Sequence, residues 1–510
     1  MLKVLYMKNK LSYQKAKDIF FNYIVGGCIG IEFLIALLVY LVAILYIPTQ
    51  NGDNIEHIHS SFLVANGNIP YKDFFQHHNP LMWYLFAPLV KVFEYNTVII
   101  EIVCFISFLI FLKSLVYVYK INVEFLNNKF YGWIACLLIF VPLQKLYAID
   151  FRPDNFMIFA LMGGIYYYFK YLRDKKWQEL SIAGIWFLIS FLFAQKAVFP
   201  LAVIGATGVW FLYKKEIKLN DFYKAMIAPL CGALAFLFYL YYYDMIGLYY
   251  KANYTFNLEL VKGFELNKII ELSLYFKIII IGGVCGVIYA LFSKNVYLKI
   301  IGILFISELL QRRLYFSPFA YYYWLLIYLG AMMFAGVLSK LDEKNRLIRV
   351  CIVIMVSYFL ANAVSFQGKN VLKKRDVVYL PDFISTQINR CDYVFNGDGL
   401  MYNLFGKDPH YYWQLIGQLD VVGEKVGIYP KPNMNELILK YKPKVLFGNN
   451  YFNKFSEESG RHEIVHYIDK NIINTYYEAS NYGDVGVLKK EYRKDKCVKN
   501  QNTGEWEYID

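Results

Sequence analysis

The chain has 510 residues, of which 58% are hydrophobic, 19% aromatic and only 18% charged, with a formal net charge of +13. Soluble domains carry about 25% charged residues. The composition therefore excludes an intrinsically disordered chain and a single water-soluble core.

The apolar residues gather into long uncharged runs. A bilayer core takes about 20 such residues per helix, whereas barrel strands would alternate over segments of about ten residues. Eleven spans are expected, at 22–47, 97–119, 130–147, 155–171, 178–195, 197–213, 225–246, 272–292, 296–310, 314–338 and 348–367. The first is too long for a signal peptide and has no small-residue cleavage site, so it reads as a retained anchor. Basic residues resist translocation. Lys3, Lys8, Lys10, Lys15, Lys17 and the loops on their side hold 22 Lys and Arg up to residue 368, against 11 on the opposite side. The N-terminus is thus expected inside and the C-terminus outside. The positive charge follows the topology, and no nucleic-acid partner is expected. The expected fold class is mainly α: a polytopic membrane bundle over 1–368 with a first outer loop at 49–96, then a small extracytoplasmic α/β domain over 369–510.

The first outer loop gathers four of the seven histidines. Residues 53–65 suit a short helix lying on the membrane, with Ile55, Ile58, Phe62 and Ala65 as its apolar stripe. Asp53, Glu56, His57 and Ser60 follow i, i+3, i+4, i+7 spacing and share the other face. Capping plus a solvated face is the plain reading of that helix. The loop continues through Gly67 to Pro80 and includes His77 and His78. A second acidic point is Asp150-Phe151-Arg152-Pro153-Asp154, where Pro153 opens a helix and puts Asp154 in its first turn. Basic side chains follow: Lys196 in a tight turn between two spans, and Arg312 and Arg313 before an aromatic stretch that includes Tyr321, Tyr322 and Trp324. Cations and aromatics at headgroup depth suit a lipid phosphate, although snorkelling and an aromatic belt would account for each singly.

Residues 369–510 hold 20 basic and 19 acidic residues. Cys391–Phe395, Lys444–Phe447 and Asp484–Leu488 read as strands, and Asn435–Lys442 and His462–Ile468 as helices. Only Cys391 and Cys497 fall in this domain. Their pairing is open, since spacing does not specify it. No zinc signature is present.

The acid after the first span, the segment Gly67-Asn68-Ile69-Pro70-Tyr71-Lys72-Asp73-Phe74-Phe75-Gln76-His77-His78-Asn79-Pro80-Leu81 and the later Arg152-Pro153-Asp154 resemble the bacterial dolichyl-phosphate-mannose protein mannosyltransferase-like family, of the C superfamily of integral-membrane glycosyltransferases. The resemblance covers roughly residues 20–340. It implies transfer of a sugar from a polyprenyl phosphate to a glycan, lipid or protein acceptor at the outer face of the bacterial cytoplasmic membrane, usually with inversion. By position it implies Asp53 and Asp154 as the family's two acids, with Arg152 beside the second. Many members have Asp-Glu where this chain has Asp53-Asn54, leaving Glu56 to substitute. Many also have Lys before the loop proline, where this chain has Asn79. Phosphate binding is then expected from Arg152, His77, His78, Lys196, Arg312 or Arg313. A divalent metal on Asp53 is compatible with carboxylate and imidazole ligands but is not demanded by any spacing. Two other readings share this topology: a polymerase or ligase using a polyprenyl diphosphate, and a lipid or glycan transporter.

Overall fold

The structure, a computed structural model, describes residues 24–45, 52–126, 129–140, 147–262, 274–314, 320–344, 347–373, 379–396, 403–413, 417–430, 433–447, 469–480, 485–494, 496–500 and 506–509. The first helix is α1 (Ile24–Leu45). There follow α2 (Gly52–Ala65), α3 (Leu81–Val92), α4 (Ile99–Ile121), α5 (Lys129–Phe140), α6 (Pro153–Asp174), α7 (Trp177–Phe193), α8 (Val198–Tyr213), α9 (Leu219–Tyr242), α10 (Ile246–Tyr250), α11 (Phe256–Lys262), α12 (Leu274–Phe292), α13 (Val296–Leu314), α14 (Trp324–Lys344) and α15 (Leu347–Lys373). Each expected span falls on one of these helices. Among the described residues, seven, α1, α4, α8, α9, α12, α14 and α15, are long and apolar enough to cross a membrane. Helices α5 and α7, with 12 and 17 residues, are shorter, and α6 and α13 do not reach that apolarity. The chain is a multi-pass membrane protein.

Burial separates lipid-facing from central helices. In α9, Ile227, Leu234 and Phe238 are 63%, 55% and 65% exposed, surface that a soluble protein would not leave uncovered. Helix α6 is buried almost throughout. It meets α7 closely because Gly164 has no side chain, and a Cβ there would come within 2.3 Å of the Phe187 ring. The same holds at Gly286 of α12, where a Cβ would sit 2.7 Å from the Met333 carbonyl oxygen of α14. The Gly163-Gly164 and Gly282-Gly283 pairs thus lie within continuous helices and serve packing.

The C-terminal region holds α16 (Tyr379–Gln387), β1 (Val394–Asn396), α17 (Gly417–Val426), α18 (Met434–Tyr441), β2 (Val445–Phe447), α19 (Lys470–Tyr476), β3 (Tyr477–Ala479), β4 (Val485–Leu488), β5 (Cys497–Lys499) and β6 (Trp506–Tyr508). One sheet runs β1-β2-β4-β3, with β1 and β2 parallel and the other neighbours antiparallel. The three expected strands are β1, β2 and β4, and the helix expected at 435–442 is α18, capped by the Asn433 side chain. The helix expected over 462–468 lies outside the described residues. Strands β5 and β6 form a separate hairpin, tied to the start of the sheet by a Cys391–Cys497 disulfide that spans 106 residues of sequence.

This region is seated on the 70–80 segment. Phe75 N–H donates to the Tyr411 carbonyl at 2.9 Å, Trp413 Nε1 to the Phe75 carbonyl at 3.1 Å and Tyr411 OH to the Tyr71 carbonyl at 2.7 Å. Tyr71, Phe75 and Trp83 share one apolar core with Tyr412, Met434 and Leu446.

Candidate functional site

Three tight helix junctions meet at one end of the bundle. Pro153 is the first residue of α6, so its missing N–H costs nothing there. Arg152, preceding it, is extended at φ −125°, ψ 148°. The turn is fixed from inside: Asn155 Nδ2 donates to the carbonyls of Tyr147 and Asp150 at 2.7 and 2.9 Å, and Trp324 Nε1 of α14 donates to Asn155 Oδ1 at 3.2 Å. Between α7 and α8 only the Gln195–Ala197 turn intervenes, and it holds Lys196. Tyr321 and Tyr322 lie in the Ala320–Tyr323 turn before α14.

The charges on these junctions form two pairs. Arg152 is salt-bridged to Asp53 at the start of α2, and its Nε lies 3.4 Å from Asp150 Oδ2. Lys196 is salt-bridged to Asp154. The Arg152 guanidinium lies 3.9 Å from the Tyr321 ring centre, and Lys196 Nζ lies 4.7 Å from that of Tyr322. Burial opposes the Arg152 charge, but the carboxylates of Asp53 and Asp150 outweigh it and hold the guanidinium pKa above its ordinary value. Asp53 keeps 30% of its side chain exposed, against 12% for Arg152 and 10% for Asp154.

Helix α2 is buried on both faces, contrary to the solvated polar face its amphipathic pattern suggests. Ile55 and Ile58 are inside, and so are Glu56, His57, His59 and Ser60. The 70–80 segment covers the polar side: Gln76 Nε2 donates to Glu56 Oε1 at 3.1 Å and to Ser60 Oγ at 2.7 Å. Glu56 thus faces Gln76. Asn54, which stands where many relatives of the resembled family have an acid, accepts the Phe151 N–H at 2.7 Å through Oδ1 and so locks α2 to the Arg152 turn. Asn79, the other departure, bridges Phe191 and Tyr249. Both asparagines hold the scaffold.

His57, His77 and His78 cluster, with ring centres 5.6 Å apart for His57 and His78 and 4.3 Å apart for His77 and His78. His57 Nδ1 accepts from Trp83 Nε1 at 3.2 Å. Burial, followed by the positive charge of Lys196, pushes the His77 pKa down to about 4. Burial likewise holds His57 and His78 well below the ordinary imidazole value, with neighbouring histidines, Lys196 and Arg152 adding to it. These rings are neutral near pH 7 and offer hydrogen bonds, with the Nδ1 atoms of His77 and His78 buried and without a hydrogen-bond partner. Among the described residues, the fixed cations of the site are therefore Arg152 and Lys196. Arg312 and Arg313 occupy the last turn of α13, but their side chains lie outside the described residues.

Among the described residues, no three or more His, Cys, Asp or Glu side chains are grouped to hold a metal ion. Asp53, the carboxylate the metal expectation needs, faces Arg152 instead. Midway along α2, His59 Nε2 lies 2.7 Å from Asp408 Oδ2 and Nδ1 lies 3.1 Å from the Leu404 carbonyl. Both ring nitrogens thus face acceptors. Neither this contact nor the role of Asn54 could be read from spacing. The only hint is a polar residue interrupting an apolar stripe.

No protein-family model matches the sequence, and no curated protein matches it. Among solved structures, the chain is similar to ArnT from Cupriavidus metallidurans bound to undecaprenyl phosphate, with a TM-score of 0.54 at 11% identity over 83% of this chain and 94% of that one. A weaker likeness, with a TM-score of 0.46 at 12% identity, covers 93% of this chain and 75% of the Archaeoglobus fulgidus oligosaccharyltransferase in the apo form. The chain therefore has the fold of that ArnT structure.

Proposed function

We propose that this protein is an integral-membrane glycosyltransferase that moves a sugar from a polyprenyl-phosphate carrier to a hydroxyl of an acceptor at the non-cytoplasmic face of a bacterial cytoplasmic membrane, with inversion. The observation that carries the reading is the pair of salt bridges, Arg152 with Asp53 and Lys196 with Asp154, at one end of an apolar bundle and capped by Tyr321 and Tyr322. Charge bias puts that end outside, where nucleotide-activated donors are absent and a donor arrives attached to lipid. The ArnT structure that shares the fold is bound to undecaprenyl phosphate.

In the proposed step the lipid phosphate draws Arg152 and Lys196 toward itself, which frees the Asp53 carboxylate to face the acceptor. The acceptor oxygen bonds to the anomeric carbon, the bond from that carbon to the phosphate oxygen breaks, and its electron pair leaves with the phosphate. The acceptor proton goes to Asp53. Fixed cations at the departing oxygen and a base opposite it are what an inverting displacement requires. Glu56 and Gln76 brace the covered polar face of α2, and His77 and His78 supply neutral hydrogen-bonding groups.

The test supplies purified protein in nanodiscs with radiolabelled polyprenyl-phosphate sugars and glycan, lipid and protein acceptors. Release of lipid monophosphate is expected. Release of lipid diphosphate would instead identify a polymerase or ligase, and net substrate movement without turnover a transporter.

A further inference from the structure

A cavity lies at the opposite end of α2 from Asp53. It measures about 550 Å³ and is walled by the end of α2, the 66–74 segment, Glu94 and Tyr95 after α3, and the C-terminal region at Arg390, 407–411 and Trp506. That volume is in the range of small-molecule sites. Asp53 and Leu63 are separated by roughly 15 Å along the helix at 1.5 Å per residue.

The lining combines aromatic faces with hydrogen-bonding groups that are held in place by their own partners. Arg390 is bound to Glu94 at 3.0 Å. Asp408 is bound to His59 and accepts from Asn403 Nδ2 at 3.1 Å. Lys407 donates to the Trp506 carbonyl. The Trp506 ring is itself set in place, with the Arg390 guanidinium 5.0 Å from its centre and its strand clamped by the disulfide beside Arg390. Lys407 and Asp73 add one charge of each sign to the lining, so no excess of either sign marks it out for a phosphate or a cation. A neutral polyhydroxylated ring needs what is present: a flat aromatic face for its C–H surface and fixed donors and acceptors for its hydroxyls. Tyr95 adds a buried hydroxyl with no hydrogen-bond partner, on a backbone at φ +64°. Unpaired polar groups and left-handed non-glycine residues are costly and collect at binding sites.

We infer that this cleft binds the sugar chain of the acceptor, so that the acceptor is an oligosaccharide or glycan-bearing molecule whose reacting end lies at Asp53 while more distant sugars rest on Trp506. The assignment builds on the glycosyltransferase reading and adds the acceptor's chemical class. The full-length protein in nanodiscs is tested against an array of neutral and amino-sugar oligosaccharides and, separately, for binding of undecaprenyl phosphate. Wild type should retain oligosaccharides. Trp506→Ala should weaken that binding about tenfold or more, and Asp73→Asn, at an exposed side chain of the lining, by a smaller factor. Undecaprenyl phosphate binding should be unchanged in both. Intact disulfide on a non-reducing gel certifies the fold of Trp506→Ala, and Asp73→Asn probes the cleft from the other wall. Absence of oligosaccharide binding, preference for peptides, or binding that neither variant alters would overturn the assignment. Loss of undecaprenyl phosphate binding in wild type would instead strike the transferase reading.

Discussion

Helix α2 carries two polar contacts of different character. At its start, Asp53 meets Arg152 with 30% of its side chain exposed, and aromatic rings stand over the cations. Midway along the helix, His59 is fully buried and engaged at both nitrogens, by Asp408 and a backbone carbonyl. On the proposed reading the first is a pairing that an incoming anion exchanges. The second is closed and acts as a rivet between the bundle and the C-terminal region. Partial exposure, not the mere presence of an ion pair, separates a group available for chemistry from one spent on architecture.

The contrast can be broken most sharply at the open end. Asp53→Asn should lower sugar transfer by about 10² to 10⁴-fold, the usual contribution of a general base, while its monodisperse elution stays as in wild type; full activity would contradict the base assignment. Arg152→Lys keeps the charge but loses the planar fork and the stacking on Tyr321. A loss of about 10²-fold in transfer is expected, with weaker protection by undecaprenyl phosphate in a thermal-shift assay. At the closed contact midway along the helix, His59→Ala leaves the Asp408 carboxylate short of a donor, costing about 1–3 kcal/mol. Limited proteolysis should then cut the C-terminal region faster while polyprenyl-phosphate binding changes little. The smallest effect concerns pH. His77 has a pKa near 4 in the folded chain, below the unfolded value near 6.5. The unfolded state therefore takes up more protons between these values, and stability present above about pH 6.5 drains away as pH falls toward 4. His77→Gln should flatten that decline in the melting temperature.

Much of this architecture is legible from the chain because the bilayer is a strict solvent. Apolar runs such as Ala225–Tyr243 have only one stable form in lipid, and Pro153 can open a helix but not continue one. The acid at 53 and the Arg152 turn stand out for the same reason, as charges at the rims of apolar runs. Partnership is what sequence hides. Arg152 adjoins Asp154 in the chain, yet Asp154 pairs with Lys196 and Arg152 with Asp53, 99 residues away. The amphipathic pattern of α2 marks two faces but not what covers them, and here a distant segment at Gln76 covers the polar one. His59 and Asp408 lie 349 residues apart, so only the folded chain brings the rivet together.

The three-residue junction that carries Lys196 allows almost no slack. Rigid helices arrive and leave on either side, so the Lys196 backbone holds its place and the ammonium group reaches only as far as its own side chain. Whatever it engages must travel to it. On the proposed reading, that places the long-range motion in the membrane-borne donor, which has to reach the site through the surrounding lipid.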